Sequence, residues 1–396
     1  MLGREDILTL RLRSLLLPGL LDLNRGLNCS PGAESPGPKT ARNPAQVAHH
    51  FLSMQAQDFA ASLWALGARS GAPQAEVEQA YQQGKVVRSW PMRGTLHTVP
   101  AEDIGWLQRL TAAKVLGAGA ERRRQHLGLE PAHIEKVREA VTAILAGGRA
   151  LSREDLMAAV AARGVEVAAT WKYHLIWYLA QTGTLVFGPA ADGRPLLVLA
   201  SEWIAAPRAL GRDEALAELA ARYTASHGPA TEDDLAWWSG LGKRDVRAAL
   251  ALAGSRVARE RADDGAEYWL APDLHDADRA ASAPTVELLP AFDEHLLGYR
   301  DRTVMLDPAH AAPVCPGGNG VFKPTVVVDG VCAGTWRPIA RGALGKLRAD
   351  RPVPVAVTWF DKVAERSADP ALLAGAANRY ARYLGREWAE VTVAGG

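Results

Sequence analysis

At 396 residues the chain exceeds what one ordinary core can serve, so two to four domains are expected. Lys and Arg number 45 against 44 Asp and Glu, and 48% of residues are hydrophobic; this is the composition of a soluble globular protein whose polyanion-binding surfaces, if any, must come from local clustering. Three cysteines, Cys29, Cys315 and Cys332, are too few and too scattered for a disulfide framework and fit a reducing compartment. Neither CxxC nor HExxH occurs, so neither a metal site nor a cofactor is expected. No run reaches the ~18 apolar residues of a membrane span. The opening MLGREDILTLRLRS sets acids ahead of its apolar stretch and arginines inside it, against a signal peptide. A cytoplasmic monomer without membrane contact is the expectation.

A first helix precedes residues 24–45, NRGLNCSPGAESPGPKTARNPA, whose Pro, Gly, Ser and Asn content predicts a mobile linker. From 45 to 69 the pattern is helical, with an interruption near SMQAQD. PQAEVEQAYQQGK predicts a further helix stopped by Gly84, and VVRSWPMRGTLHTVP predicts a hairpin around Pro91-Met92-Arg93-Gly94. The series then recurs. A helix covers 131–146, a second begins at LSREDL with Ser152 as cap and Asp155 three residues on, and ATWKYHLIWYLAQTG forms a third. A hairpin turning at Asp192-Gly193 follows. It recurs once more in RDEALAELAARYTASHG, in ATEDDLAWWSG with Thr231 and Asp234 in the cap positions, in KRDVRAALALAG, and in a hairpin turning at Asp264-Gly265. After about 283, β-branched runs with an Asp329-Gly330 turn predict a separate β-rich unit, ended by a helix over 370–387.

Helix, capped helix, helix, hairpin is the order of a winged helix. The expected architecture is α+β, with three tandem winged helices and a C-terminal β-barrel-like domain. Residues 1–130 would hold the N-terminal helix, the loop and the first unit; 131–205 the second; 206–282 the third; and 283–396 the barrel.

Two glutamines one residue apart raise a chemical question. In a continuous helix Gln55 and Gln57 would point away from each other, whereas an extended segment puts them on one side. Asp58 is a good N-cap for FAASLWALGA, so a helix restarting at Phe59 would leave both glutamines in the irregular stretch before it, extended or turned, where they can converge. Two such amides can orient a water through their carbonyl and NH₂ groups without serving as strong bases, which suits an electrophile that is already activated. On residue chemistry alone they can equally be cap-region amides with no role in catalysis.

The blocks FLSMQAQDFAASLWALGAR, SWPMRGTLHTVPAEDIGWL, RDEALAELAARYTASHGPATEDDLAWWSGL, LLPAFDEHLLGYRDR and NGVFKPTVVVDGVCAGTWR, spread over roughly 45–340, together resemble the AlkZ/YcaQ-like family of winged-helix DNA glycosylases. The resemblance implies tandem winged helices with a C-terminal β-barrel, and double-stranded DNA carrying alkylated bases as partner. It also implies excision of alkylated purines such as N7-alkylguanines, with crosslink unhooking or protection of antibiotic producers in some members. The family's catalytic Gln-x-Gln element falls on Gln55-Ala56-Gln57. Asp58 and His97 are further site-shaping candidates, His97 being equally readable as a packed strand histidine. Arg88 and Arg93 beside the first turn, Lys172, Lys243 and Arg244 at the starts of third helices, and Arg300 are the candidate DNA contacts; each can also be ordinary solvated charge. The run Glu121–His126 and the neighbours Asp293 and Tyr299 are undecided between structure and DNA contact. The alternative function is a non-catalytic tandem winged-helix DNA binder or regulator, or a protein-interaction module.

Overall fold

Helices and hairpins alternate as the spacing predicts, in a mixed α+β chain whose computed structural model describes residues 1–17, 43–263, 265–275 and 283–393. Nearly all of the expected linker 24–45, Cys29 and the Asp264 position of the third turn lie outside the described residues. The N-terminal portion consists of α1 (Arg4–Ser14), α2 (Pro44–Phe51), a short β1 (Met54–Gln55), α3 (Phe59–Ser70) and α4 (Gln74–Gln82), then the hairpin β2 (Val86–Met92) and β3 (Thr95–Pro100). Two helices that the sequence reading did not delimit follow, α5 (Ile104–Val115) and α6 (Ala118–His126), the latter holding the basic run. The second series is α7 (Pro131–Leu145), α8 (Arg153–Ala162), α9 (Lys172–Gln181), β4 (Leu185–Ala191), β5 (Arg194–Leu199) and a short α10 (Ala200–Trp203). The third is α11 (Arg212–His227), α12 (Glu232–Ser239), α13 (Lys243–Ala253), β6 (Ala258–Arg261), β7 (Glu267–Leu270) and α14 (Pro272–His275). The remainder contains β8 (Val286–Leu289), α15 (Glu294–Leu297), β9 (Thr325–Val328), β10 (Val331–Arg337), β11 (Val353–Trp359) and β12 (Ala389–Val393), with a helix Pro370–Tyr383 between the last two strands.

Local chemistry accounts for the boundaries. Thr231 accepts from the Asp234 N–H while the Asp234 carboxylate accepts from the Thr231 N–H at 2.9 Å, a complete reciprocal cap. At Ser152 the hydroxyl accepts from the Asp155 N–H at 3.0 Å, but Asp155 turns back to the hydroxyl itself rather than to the backbone. The turns at Arg93-Gly94, Asp192-Gly193 and Asp329-Gly330 all hold both residues at positive φ, as two-residue hairpins require.

Two of the wings pair with each other. The first two hairpins join into one five-stranded sheet, β1-β3-β2-β4-β5, through the pairing of Arg88 with Phe187, which makes β2 a central strand. The third hairpin remains a two-stranded ribbon. Helix α1, expected to belong with the first unit, closes on this ribbon: Leu2 bridges to Ala262, and Ile7 and Leu10 share a small core with Tyr268, Leu270 and Leu274. The expected barrel-like unit is a five-stranded sheet, β12-β11-β10-β9-β8, antiparallel except for the parallel β11–β12 pair, with β8 and β12 as its edges among the described residues.

Two main cores result. One runs without interruption from α2 and α3 through α11–α13 to the C-terminal sheet. It includes Trp64, whose indole N–H donates to the Leu288 carbonyl at 2.9 Å and whose ring lies against Tyr380 and Tyr383. The other is drawn almost wholly from residues 129–199, with Trp90 and Leu96 contributed by the first hairpin.

Candidate active site

Helix α2 stops at Phe51, after which Leu52 takes a left-handed φ of +63°. The chain then extends, and Met54 and Gln55 pair antiparallel with Thr98 and His97 of β3. Asp58 caps α3 by accepting from the Ala61 N–H at 3.0 Å, so the helix restarts at Phe59 and both glutamines lie ahead of it, Gln55 in the short strand β1 and Gln57 in the bend that follows, outside any helix as the sequence suggested. One Asp58 oxygen is thus committed to the cap, and the side chain is exposed.

Both glutamine carbonyls are held by groups that can only donate. The Leu96 N–H donates to Gln57 Oε1 at 2.9 Å, and Arg93 Nη2 donates to Gln55 Oε1 at 3.2 Å. A donor-only partner requires the carbonyl oxygen to face it, so the orientation of both amides follows from chemistry. Each oxygen keeps a second lone pair, and each NH₂ group remains free to donate. Gln57 is exposed and Gln55 half-buried.

The backbone of the motif is braced from beneath. Arg88 donates to the Ala56 carbonyl at 2.8 Å and to the Gln57 carbonyl at 3.2 Å. Expected at a DNA surface, Arg88 is buried instead, because β4 pairs with β2 and places Phe187 beside its guanidinium. Burial brings its pKa down to about 10, which leaves it charged at neutral pH. On the other side the Gln55 N–H donates to Glu294 Oε1 at 2.6 Å. Glu294 is fully buried and also accepts from His227 at 3.2 Å and from the Trp238 indole at 3.1 Å. Burial alone would raise its carboxyl pKa; the hydrogen bond and charge of His227, together with the Gln55 N–H, outweigh this and keep it below its ordinary value.

Glu294 was missed by sequence reading, which singled out its neighbour Asp293; a carboxylate between Phe292 and the Leu296-Leu297 pair is the one local sign of burial. Asp293 itself pairs bidentately with Arg69 at 2.7 and 2.8 Å, both buried, and Tyr299 donates to the His227 carbonyl at 2.8 Å. Those two residues are therefore internal ties rather than DNA contacts.

His97 is sealed within the sheet. Its Nδ1 donates to the Thr95 carbonyl at 2.9 Å, and burial, with Arg93 nearby, pulls its pKa down to about 4. The ring is neutral, with a buried Nε2 lone pair that has no partner. Arg93 lies over the Trp237 ring at 4.4 Å, so it ties the Gln55 amide to α12. Lys172, Lys243, Arg244 and Arg300 are exposed. Lys243 and Arg300 share one partner, Asp233, which leaves that trio a single net positive charge. The structure brings Gln55, Gln57, Asp58, Arg88, Arg93 and His97 to one place. Lys172 stands on the second unit, and Lys243, Arg244 and Arg300 lie around α12–α13 and the chain following α15.

One group among the described residues brings three metal-ligand atoms within 4.8 Å, namely His49, Glu102 and Asp103. Arg222 and Arg208 already occupy the Asp103 carboxylate, at 2.6 and 2.8 Å, and two cations there oppose a third. No described helix is long and apolar enough to cross a membrane.

The chain aligns with the solved structure of Streptomyces sahachiroi DNA glycosylase AlkZ, covering 99% of this chain and 100% of that one with a TM-score of 0.74 at 22% identity, so the two share a fold. The AlkZ-like DNA glycosylase family matches residues 48–383, and the chain belongs to that family. A curated relative, the interstrand DNA cross-link repair glycosylase of Streptomyces sahachiroi, is 26% identical over 316 residues, 76% of this chain and 83% of that protein.

Proposed function

We propose that the protein is a monofunctional DNA glycosylase that hydrolyses the N-glycosidic bond of alkylated purines, with Gln55 and Gln57 positioning the attacking water. An N7-alkylated purine carries positive charge, so its bond to the sugar is weakened and the base departs without a protonating acid. Departure leaves an oxocarbenium-like sugar, as in glycoside hydrolysis. A water held between two amides can add to that cation with little prior deprotonation, so positioning supplies most of the catalysis. Water gives up a proton, the sugar gains a hydroxyl at the anomeric carbon, and an abasic site remains.

The observation that carries this reading is the fixed presentation of the two amides. Gln55 ends a short strand and Gln57 lies in the bend after it, each carbonyl is clamped by a donor, and Arg88 and Glu294 hold the backbone of the motif. The name of the curated relative supports interstrand crosslinks as a further substrate, since unhooking a crosslink joined through purine N7 breaks the same kind of bond. The test is release of N7-methylguanine from methylated duplex DNA by the wild type and by the double variant Gln55→Ala, Gln57→Ala. The wild type should release base and the double variant should not; undiminished release by the variant would remove the motif from the mechanism.

A further inference from the structure

Beside the amide pair, on the far side of Arg93, a cleft of about 690 Å³ opens between α5, α6, α9 and the end of α12. That volume lies within the usual range of ligand sites. Arg93, Lys114 and Arg123 contribute positive charge to its wall, Tyr173, His174 and Trp177 contribute rings, and none of the lining residues is acidic. Arg123 forms no ion pair among the described residues, whereas its neighbour Arg124 is paired with Glu121. Tyr173 is 60% exposed, which leaves its ring open to the cleft.

Two observations point to an occupant. His174 is only 6% exposed, and its Nε2 has no hydrogen-bond partner; Arg93 Nε is likewise buried and unpartnered. Helix α6 begins at the cleft with Gly119 and Ala120 on the wall, and its N-cap Gly117 supplies no side-chain cap, which leaves first-turn N–H groups for an anion. Cations, open amides and rings in one concavity suit a planar base with a phosphate attached.

We propose that this cleft receives one unstacked nucleotide of the DNA substrate, its base against Tyr173 and Trp177 and its phosphate toward Lys114, Arg123 and the start of α6. The assignment rests on the glycosylase reading and extends it to a second subsite, linked to the amide pair through Arg93. Displacing a nucleotide from the stack next to the reacting sugar is easiest where pairing is already weakened, as it is at a damaged position.

The experiment uses the full chain and a duplex carrying one 5-iododeoxyuridine opposite thymine, a mismatch that unstacks readily. Irradiation of the complex should crosslink the iodinated base to the segment 170–177. Tyr173→Ala should cut the crosslink yield on the order of tenfold, and Arg123→Glu should weaken duplex binding by a similar factor at low salt. Gln55→Ala should keep the crosslink while losing base release. Crosslinks confined to other segments while the duplex still binds, or binding unchanged in Arg123→Glu, would overturn the subsite and leave the glycosylase reading intact. Failure of the wild type to bind any duplex would sink that reading itself.

Discussion

The first and second helix–hairpin units follow one plan and share one sheet, yet their interiors differ. Where their central strands meet, the first unit places Arg88 and the second places Phe187 directly opposite. The second unit is filled by Ile134, Val137, Leu156, Leu175, Leu179 and Phe187. The first buries Arg88, Ser89, His97 and Thr98 in its strands, and it interrupts its helices with Leu52 and β1 to make room for the glutamines. Buried polar groups need partners: Arg88 finds them in the motif backbone, Ser89 in Gln108, Thr98 in Tyr81 and His97 in the Thr95 carbonyl, while Glu294, far along the chain, anchors the Gln55 N–H. The second unit shows the plan with a largely apolar interior. The first shows the plan bent to hold two amides, and it depends on remote residues to do so.

Breaking the remote ties should separate the two units most strongly. Arg69→Met leaves the Asp293 carboxylate buried without its cation and should lower stability by about 3–5 kcal/mol in urea unfolding. Arg138→Met in the second unit, which removes a partly exposed pair with Glu135, should cost less than about 1 kcal/mol. Next in size, replacing both Gln55 and Gln57 by Ala should lower base release on the order of 100-fold. The thermal midpoint should hardly move, because neither side chain is packed in the core.

A smaller effect is expected from pH. The His97 and His295 pKa values, about 4 in the folded chain because burial disfavours the charged ring, lie below the ordinary 6.5. The unfolded chain therefore binds the extra protons first. Stability from this source is complete above pH 6.5 and declines as pH falls from there toward 4. His97→Gln should flatten that decline in denaturation midpoints measured across the window. An unchanged slope would show that His97 does not contribute to it.

The smallest change sharpens the comparison best. Asp58→Ala and Ser152→Ala each remove a helix cap and should each cost about 1 kcal/mol. Only Asp58→Ala should also reduce base release, since its cap fixes where α3 begins just after Gln57. Equal activity in both variants would mean that the helix start does not position Gln57.

Local signals carried much of this architecture in the sequence itself. Asp58 ahead of an apolar run marked where α3 begins, and that boundary implied glutamines outside any helix; Gly after Asp marked the tight turns; Ser152 and Thr231 marked the capped helices. The pairing of Arg88 with Phe187 joins segments far apart in the chain, and no local pattern announces it, so an arginine next to a turn was read as surface charge when it is a central-strand brace. Glu294 was hidden for the same reason. Its role depends on β1, α11 and α12 converging on one carboxylate, while the sequence shows only an acid beside another acid. The C-terminal sheet was half legible: the strands were evident, but whether their edges meet is decided by packing against the helix Pro370–Tyr383.

The three-way grip of Glu294 on Gln55, His227 and Trp238 has a consequence for engineering. Transplanting Gln-x-Gln into an unrelated scaffold would carry the amides without the anchor that sets their height. A chimera that swapped the C-terminal portion between relatives would exchange the anchor while leaving the glutamines in place. The modular unit is thus discontinuous: two residues near the start of the chain and a carboxylate nearly two hundred and forty positions later have to be moved together.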